Sequence, residues 1–137
     1  GIGRTRDTAW NDLVSRVRRG AVLAVDCGHR RVERPADGTL SAYRAGALVV
    51  PVPDGTCDLT AHVAVDSLEH DELGTQRDWL RELGVTAGLP AHELARTDPA
   101  GYVAALSRSG AAAALTDPNG LGTFHWVLRR CAQTNSQ

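Results

Sequence analysis

Trp10, Leu13, Val14 and Val17 fall at i, i+3, i+4 and i+7, and the run AVLAV (21–25) follows almost at once. No other stretch constrains the fold as much. The first pattern predicts an amphipathic helix over about 7–19 with one face buried. Asp7 or Thr8 can cap it, Arg16, Arg18 and Arg19 suit its C-terminal dipole, and Gly20 can stop it. The second pattern is short, continuous and apolar, which fits a strand covered on both faces, as in a parallel sheet. A helix leading directly into such a strand predicts an α/β unit. The strand then exits through Asp26-Cys27-Gly28-His29, an acid, a thiol, a glycine and an imidazole in succession.

The rest of the chain adds elements of both kinds. RRVERPADGTL (30–40) reads as a loop, and ALVV (47–50) and DLTAHVAVD (58–66) read as strands around a Pro-Asp-Gly turn. In the second, Asp58, Thr60, His62 and Asp66 share one face and the apolar residues the other. TQRDWLRELG (75–84) is the clearest helix, with Thr75 as cap, Asp78 three residues on and Gly84 as stop. Asp98-Pro99 opens another helix to about Arg108. AAAALTDPNGLGTFHWVLRR (111–130) reads as two strands around Asp-Pro-Asn-Gly, with Phe124, Trp126 and Leu128 on one face. The polar tail 133–137 is expected to fray.

Composition bounds the function classes. A net charge of −1 on 137 residues leaves no electrostatic footprint for nucleic acid or an anionic membrane. No apolar run reaches the length of a membrane span. Three irregularly spaced cysteines, at 27, 57 and 131, argue against a secreted disulfide framework and for a reducing, cytoplasmic setting. All 15 basic residues are Arg, so no Walker-type phosphate loop with its Lys is present, and no G-x-G-x-x-G follows a strand.

Asp26 and His29 are the foremost candidate site residues, because ligands bind at the carboxyl ends of strands in open α/β sheets. Gly28 would allow a sharp turn or close backbone approach to a ligand. The alternative is that Asp26 caps local amides and His29 is solvated loop. Cys27, His29, Cys57 and His62 have the right types for a zinc centre, but the C-x-H and C-x4-H spacings are poor for one. The cysteines are more simply small buried hydrophobes, and no metal is expected. A Cys–His nucleophile is weaker still, since Asp26 and Asp58 adjoin the cysteines on opposite faces. Asp58, Thr60 and His62 can form a polar cluster, or simply the wet face of an antiparallel strand. His125 alternates with Phe124 and Trp126, so solvent or a polar neighbour is its expected surrounding.

Taken together, the ordered segments Asp26-Cys27-Gly28-His29, Gly38-Thr39-Leu40, Asp58-Leu59-Thr60-Ala61-His62-Val63 and Gln76 through Gly84 resemble the MidA family of S-adenosylmethionine-dependent methyltransferases. The family pattern is D-Y-G-H, G-T-L-x-x-[YF], D-[LIF]-T-x-x-V and Q-x-x-[FW]-L-x-x-L-G, and Cys27 stands where Tyr is usual. The likeness runs from about Thr8 to Arg130 and includes the mitochondrial complex I assembly methyltransferase among its relatives.

The resemblance implies the C-terminal part of a class I, Rossmann-like methyltransferase fold. Its sheet would be mostly parallel, with a late antiparallel hairpin and a β insertion over 29–66. Residues 1–137 would then be a single partial domain. S-adenosylmethionine is the implied cofactor, but its glycine-rich loop would lie upstream, leaving this chain inactive alone. The implied acceptor is a protein, with an arginine side chain the candidate. Asp26, His29, Asp58, Thr60, His62 and Gln76 would line the acceptor side. The expected partners are the missing N-terminal half or a second copy. A non-catalytic interaction or assembly module of the same fold is the alternative, and a small zinc-binding domain the second.

Overall fold

A computed structural model describes residues 3–132; the tail 133–137, expected to fray, lies outside them. In chain order the elements are α1 (Gly3–Ser15), β1 (Gly20–Asp26), β2 (Gly28–His29), β3 (Ser41–Arg44), β4 (Ala47–Val49), β5 (Asp58–Thr60), β6 (Val63–Ala64), β7 (Glu72–Thr75), α2 (Gln76–Glu82), α3 (His92–Thr97), α4 (Pro99–Leu115) and β8 (His125–Cys131). The chain forms two compact units. One runs to Leu73 and resumes at His125, and the other is Gly74–Phe124.

In the first unit β1 pairs antiparallel with β8 along its whole length, from Gly20↔Cys131 to Asp26↔His125. The sheet order is β1-β8-β7, so β1 is an edge strand among the described residues. Among the described residues β1 has an antiparallel partner and no parallel one, where the sequence predicts a strand covered on both faces as in a parallel sheet. Cross-strand partners share a face. Val22, Ala24 and Asp26 therefore face the same way as Arg129, Val127 and His125. Leu23 and Val25 stand on the opposite face with Leu128 and Trp126, and are 44% and 42% exposed. Continuity of apolar residues signalled burial, but one face alone meets the core.

That core is Trp10, Val65, Leu68 and Val127, with Val14, Val22, Ala24, Val63 and Leu73 packed against it. Helix α1 delivers Trp10, whose indole N–H donates to the Glu69 carbonyl at 2.8 Å. The helix ends four residues before Arg19, because Arg16 and Val17 bond back to the Leu13 and Val14 carbonyls in tighter turns.

The insertion over 29–66 holds a three-stranded sheet of order β4-β3-β5, both pairings antiparallel. Strand β3 went unforeseen. Its turn into β4 places Ala45 and Gly46 at φ 49° and 77°, the left-handed pair that two-residue hairpins favour. DLTAHVAVD is not one strand. β5 pairs with β3, β6 runs parallel to β2, and Val65–Ser67 closes a 3-10 turn. Pairing across the described strands is thus mostly antiparallel.

In the second unit, Thr75 accepts from the Asp78 amide and returns its hydroxyl to the Asp78 carboxylate at 2.6 Å. Gly84, at φ 85°, follows Leu83, the C-cap of α2. Asp98 caps α4 through the Gly101 amide at 2.9 Å. α4 continues to Leu115, which overturns the hairpin expected over 111–130. A run of four alanines has the strongest helix propensity available and extends the helix rather than pairing as a strand. Asp117-Pro118-Asn119-Gly120 turns the chain out of α4 instead, with the Asn119 amide on the Asp117 carboxylate. α3 was also unforeseen.

Candidate functional site

The inner face of the first unit's sheet opens into a groove of about 330 Å³ against α1. Its walls are Ala9, Trp10, Leu13, Ala24, Val63, Val65, Leu68 and Val127, and its polar groups are Arg6, Asp26 and His125. The two strands explain the arrangement. Asp26 ends β1, His125 begins β8, and antiparallel register sets them opposite one another on the core-facing side. Arg6 is already engaged, its guanidinium 2.7 Å from the Asp7 carboxylate and in contact with the Ser67 hydroxyl. Asp26 is exposed at the open end, where one oxygen accepts from the Cys27 amide at 2.7 Å.

His125 is the residue that sequence reasoning placed outside the site. Its Nδ1 is buried without a hydrogen-bond partner. Burial holds the imidazole below its ordinary pKa of 6.5, offset in part by Glu33 and reinforced by Arg30, His29 and His62. Burial penalises the charged form, so the neutral form is favoured. The strand alternation was correctly read; what was missing was that the helix-bearing face of β8 is the one with His125. Only the register with β1 could have revealed it.

Gly28 explains the tightness beside this imidazole. A Cβ there would stand 2.5 Å from Val65 Cγ1, 2.9 Å from the Val63 carbonyl oxygen and 3.3 Å from His125 Nδ1. The close approach that Gly28 permits is therefore to β6 and β8. Cys27 accepts the Val63 amide on its carbonyl at 2.9 Å. Its thiol is pushed up by burial and by Asp26, which opposes the thiolate a nucleophile needs.

The other candidates are distributed. His29 lies on β2 with its Nδ1 buried and unpartnered, like that of His125. His62 is exposed, and its amide donates to Thr39 Oγ1 at 2.9 Å. Asp58 and Thr60 are exposed on β5, opposite Tyr43 and Ser41 of β3. Gln76 belongs to the second unit, where it is 8% exposed and its amide nitrogen donates to the Leu115 and Leu121 carbonyls at 3.0 Å each. That is a clamp on the end of α4. Among the described residues no group of three or more His, Cys, Asp or Glu side chains could hold a metal ion, so Cys27, His29, Cys57 and His62 do not form the zinc set. No described helix is long and apolar enough to cross a membrane.

Residues 5–86, more than half of the chain, match the family described as "Putative S-adenosyl-L-methionine-dependent methyltransferase". The chain belongs to that family. A crystal structure of a protein from Burkholderia thailandensis, described as an uncharacterized ACR, is similar, with a TM-score of 0.67 at 21% identity. The likeness covers 90% of this chain and 36% of that one, so this chain spans about a third of the longer protein. At that identity it speaks to the fold alone. No curated protein matches the chain.

The described residues do not fit the family's cofactor. An adenosyl sulfonium ligand calls for a glycine-rich turn after a strand and an acid for its ribose. Gly28 is the glycine at the exit of β1, and the space over its Cα is filled by Val65 and the Val63 carbonyl. No step is therefore derived through the cofactor.

Proposed function

We propose that this chain is the C-terminal portion of a MidA-like methyltransferase of class I fold, and that it builds the side of the site that receives the methyl acceptor. The observation that carries the reading is the sheet order β1-β8-β7, with the last strand of the chain antiparallel to β1. In the class I fold a late antiparallel strand lies between strands of the second half. β1 would then be the strand from which the mostly parallel sheet continues, and its free edge is where the preceding strands add. Coverage of only 36% of the Burkholderia protein supports the same view. Together with that remainder the chain would make one domain, with the glycine-rich turn and ribose acid supplied upstream.

Asp26 and His29 would face the acceptor from the carboxyl end of β1, with His62, Asp58 and Thr60 on the insertion. Gln76 would act as a structural clamp in its own unit. A protein acceptor, with arginine the implied side chain, belongs to this proposal through the MidA resemblance. Methyl transfer in this class is chiefly positioning of a nucleophile in line with the methyl group, helped by electrostatics. The chain's own contribution is to orient the acceptor and exclude water around it. Reading the gene upstream of the first codon of this chain tests the proposal. An open frame encoding an apolar strand followed by E-x-G-x-G is the expected result; an initiator close by, with no such turn, would overturn it.

A further inference from the structure

We infer that the groove between α1 and the β1–β8 face is a binding site for an organic cation on a ring-sized apolar body, its head held by Asp26. The inference goes beyond the methyl-transfer reading and stands without it. Three observations carry it. The groove is walled by aliphatic side chains and Trp10, and its volume of about 330 Å³ lies in the range of small-molecule pockets. The charges at the groove are complementary to a cation. The Arg6 guanidinium is matched by Asp7, whereas the exposed Asp26 carboxylate has no ion pair among the described residues. Its recorded contact is one oxygen on the Cys27 amide, which leaves the other oxygen for a donor.

The third observation is His125. Its ring is opposite Asp26 in register, with Nδ1 buried and unpartnered. A neutral imidazole there adds no positive charge to repel the head, and an anion at the groove would face the Asp26 carboxylate. Carboxylate, neutral imidazole and apolar walls together select a donor-bearing cation over a neutral or anionic ligand of the same shape.

The test is a titration of the isotope-labelled chain with phenethylammonium, followed by NMR at the Trp10 indole, Val127 and His125. Comparators are 2-phenylethanol, phenylacetate and ethylammonium. Saturable shifts confined to the groove are expected. The alcohol and ethylammonium should bind at least fivefold more weakly, and phenylacetate should not bind. Asp26→Asn should reduce phenethylammonium to the affinity of the alcohol and leave the alcohol unchanged. Ala9→Phe, which fills the groove without touching its charges, should abolish both. Equal binding of phenylacetate, or of phenethylammonium to Asp26→Asn, would overturn the inference. Because no cofactor is present, this result is separable from failure of the methyl-transfer reading, which the upstream reading frame tests.

Discussion

Asp26 and His125 close one end of the β1–β8 ladder, paired in register on the face that meets the core. One is an acid at the exit of a strand and the other an imidazole at the entry of its antiparallel partner, 99 positions later in the chain. Their juxtaposition gives the groove its polar end, while burial sets the direction in which His125 responds to pH.

His125 has a folded pKa below 6.5 because burial opposes its charged form. The unfolded chain therefore binds the proton more readily, and stability rises with pH through that interval. The contribution is fully present above pH 6.5 and is lost as pH falls through the folded value. Glu33 partly opposes the depression, Arg30, His29 and His62 add to it, and Asp26 lies across the ladder. His125→Phe should flatten the slope of urea stability against pH between 5 and 7. An unchanged slope would show that His125 does not set it.

Gly28→Ala should destabilise the first unit by about 1–3 kcal/mol, the usual cost of overpacking. The methyl group would meet the Val63 carbonyl at 2.9 Å, a backbone atom in a β6 strand paired with β2. Val65, 1% exposed in the core, would have to move as well. The midpoint of urea denaturation measures this, and a midpoint equal to the parent's would refute the packing account.

How much of this was legible beforehand follows the range of the interactions. The Thr75 cap and the Asp98-Pro99 helix start are written locally and appear where the residues place them; the α1 stripe does so only in part, since the helix runs Gly3–Ser15, Val17 lies beyond it and Leu13 is exposed. AVLAV was legible as a strand but not as an antiparallel edge, because pairing direction depends on β8, a hundred residues away. The alanine run belongs to α4 because its helix propensity outweighs the hairpin signal of Asp-Pro-Asn-Gly. The place of Asp26 at a strand end is legible locally. His125 was missed because its face is decided by register and by α1, neither of which alternation contains.

Gln76 gives a contrasting prediction, since the resemblance set it among pocket residues. Its amide satisfies two carbonyls at the end of α4 and in the turn that follows. Gln76→Leu keeps the volume and leaves both carbonyls with one donor fewer, at a cost of about 1–3 kcal/mol. Calorimetric unfolding should show the loss. Stability equal to the parent's would count against a clamp.

The most direct test of the central claim is a titration of S-adenosylmethionine into the isotope-labelled chain, read from its amide spectrum. The chain is held to supply the acceptor side of a methyltransferase and none of the cofactor's cradle. A dispersed spectrum, itself proof of folding, should therefore stay unmoved as the cofactor is added. Saturable shifts converging on any one set of residues would contradict the account.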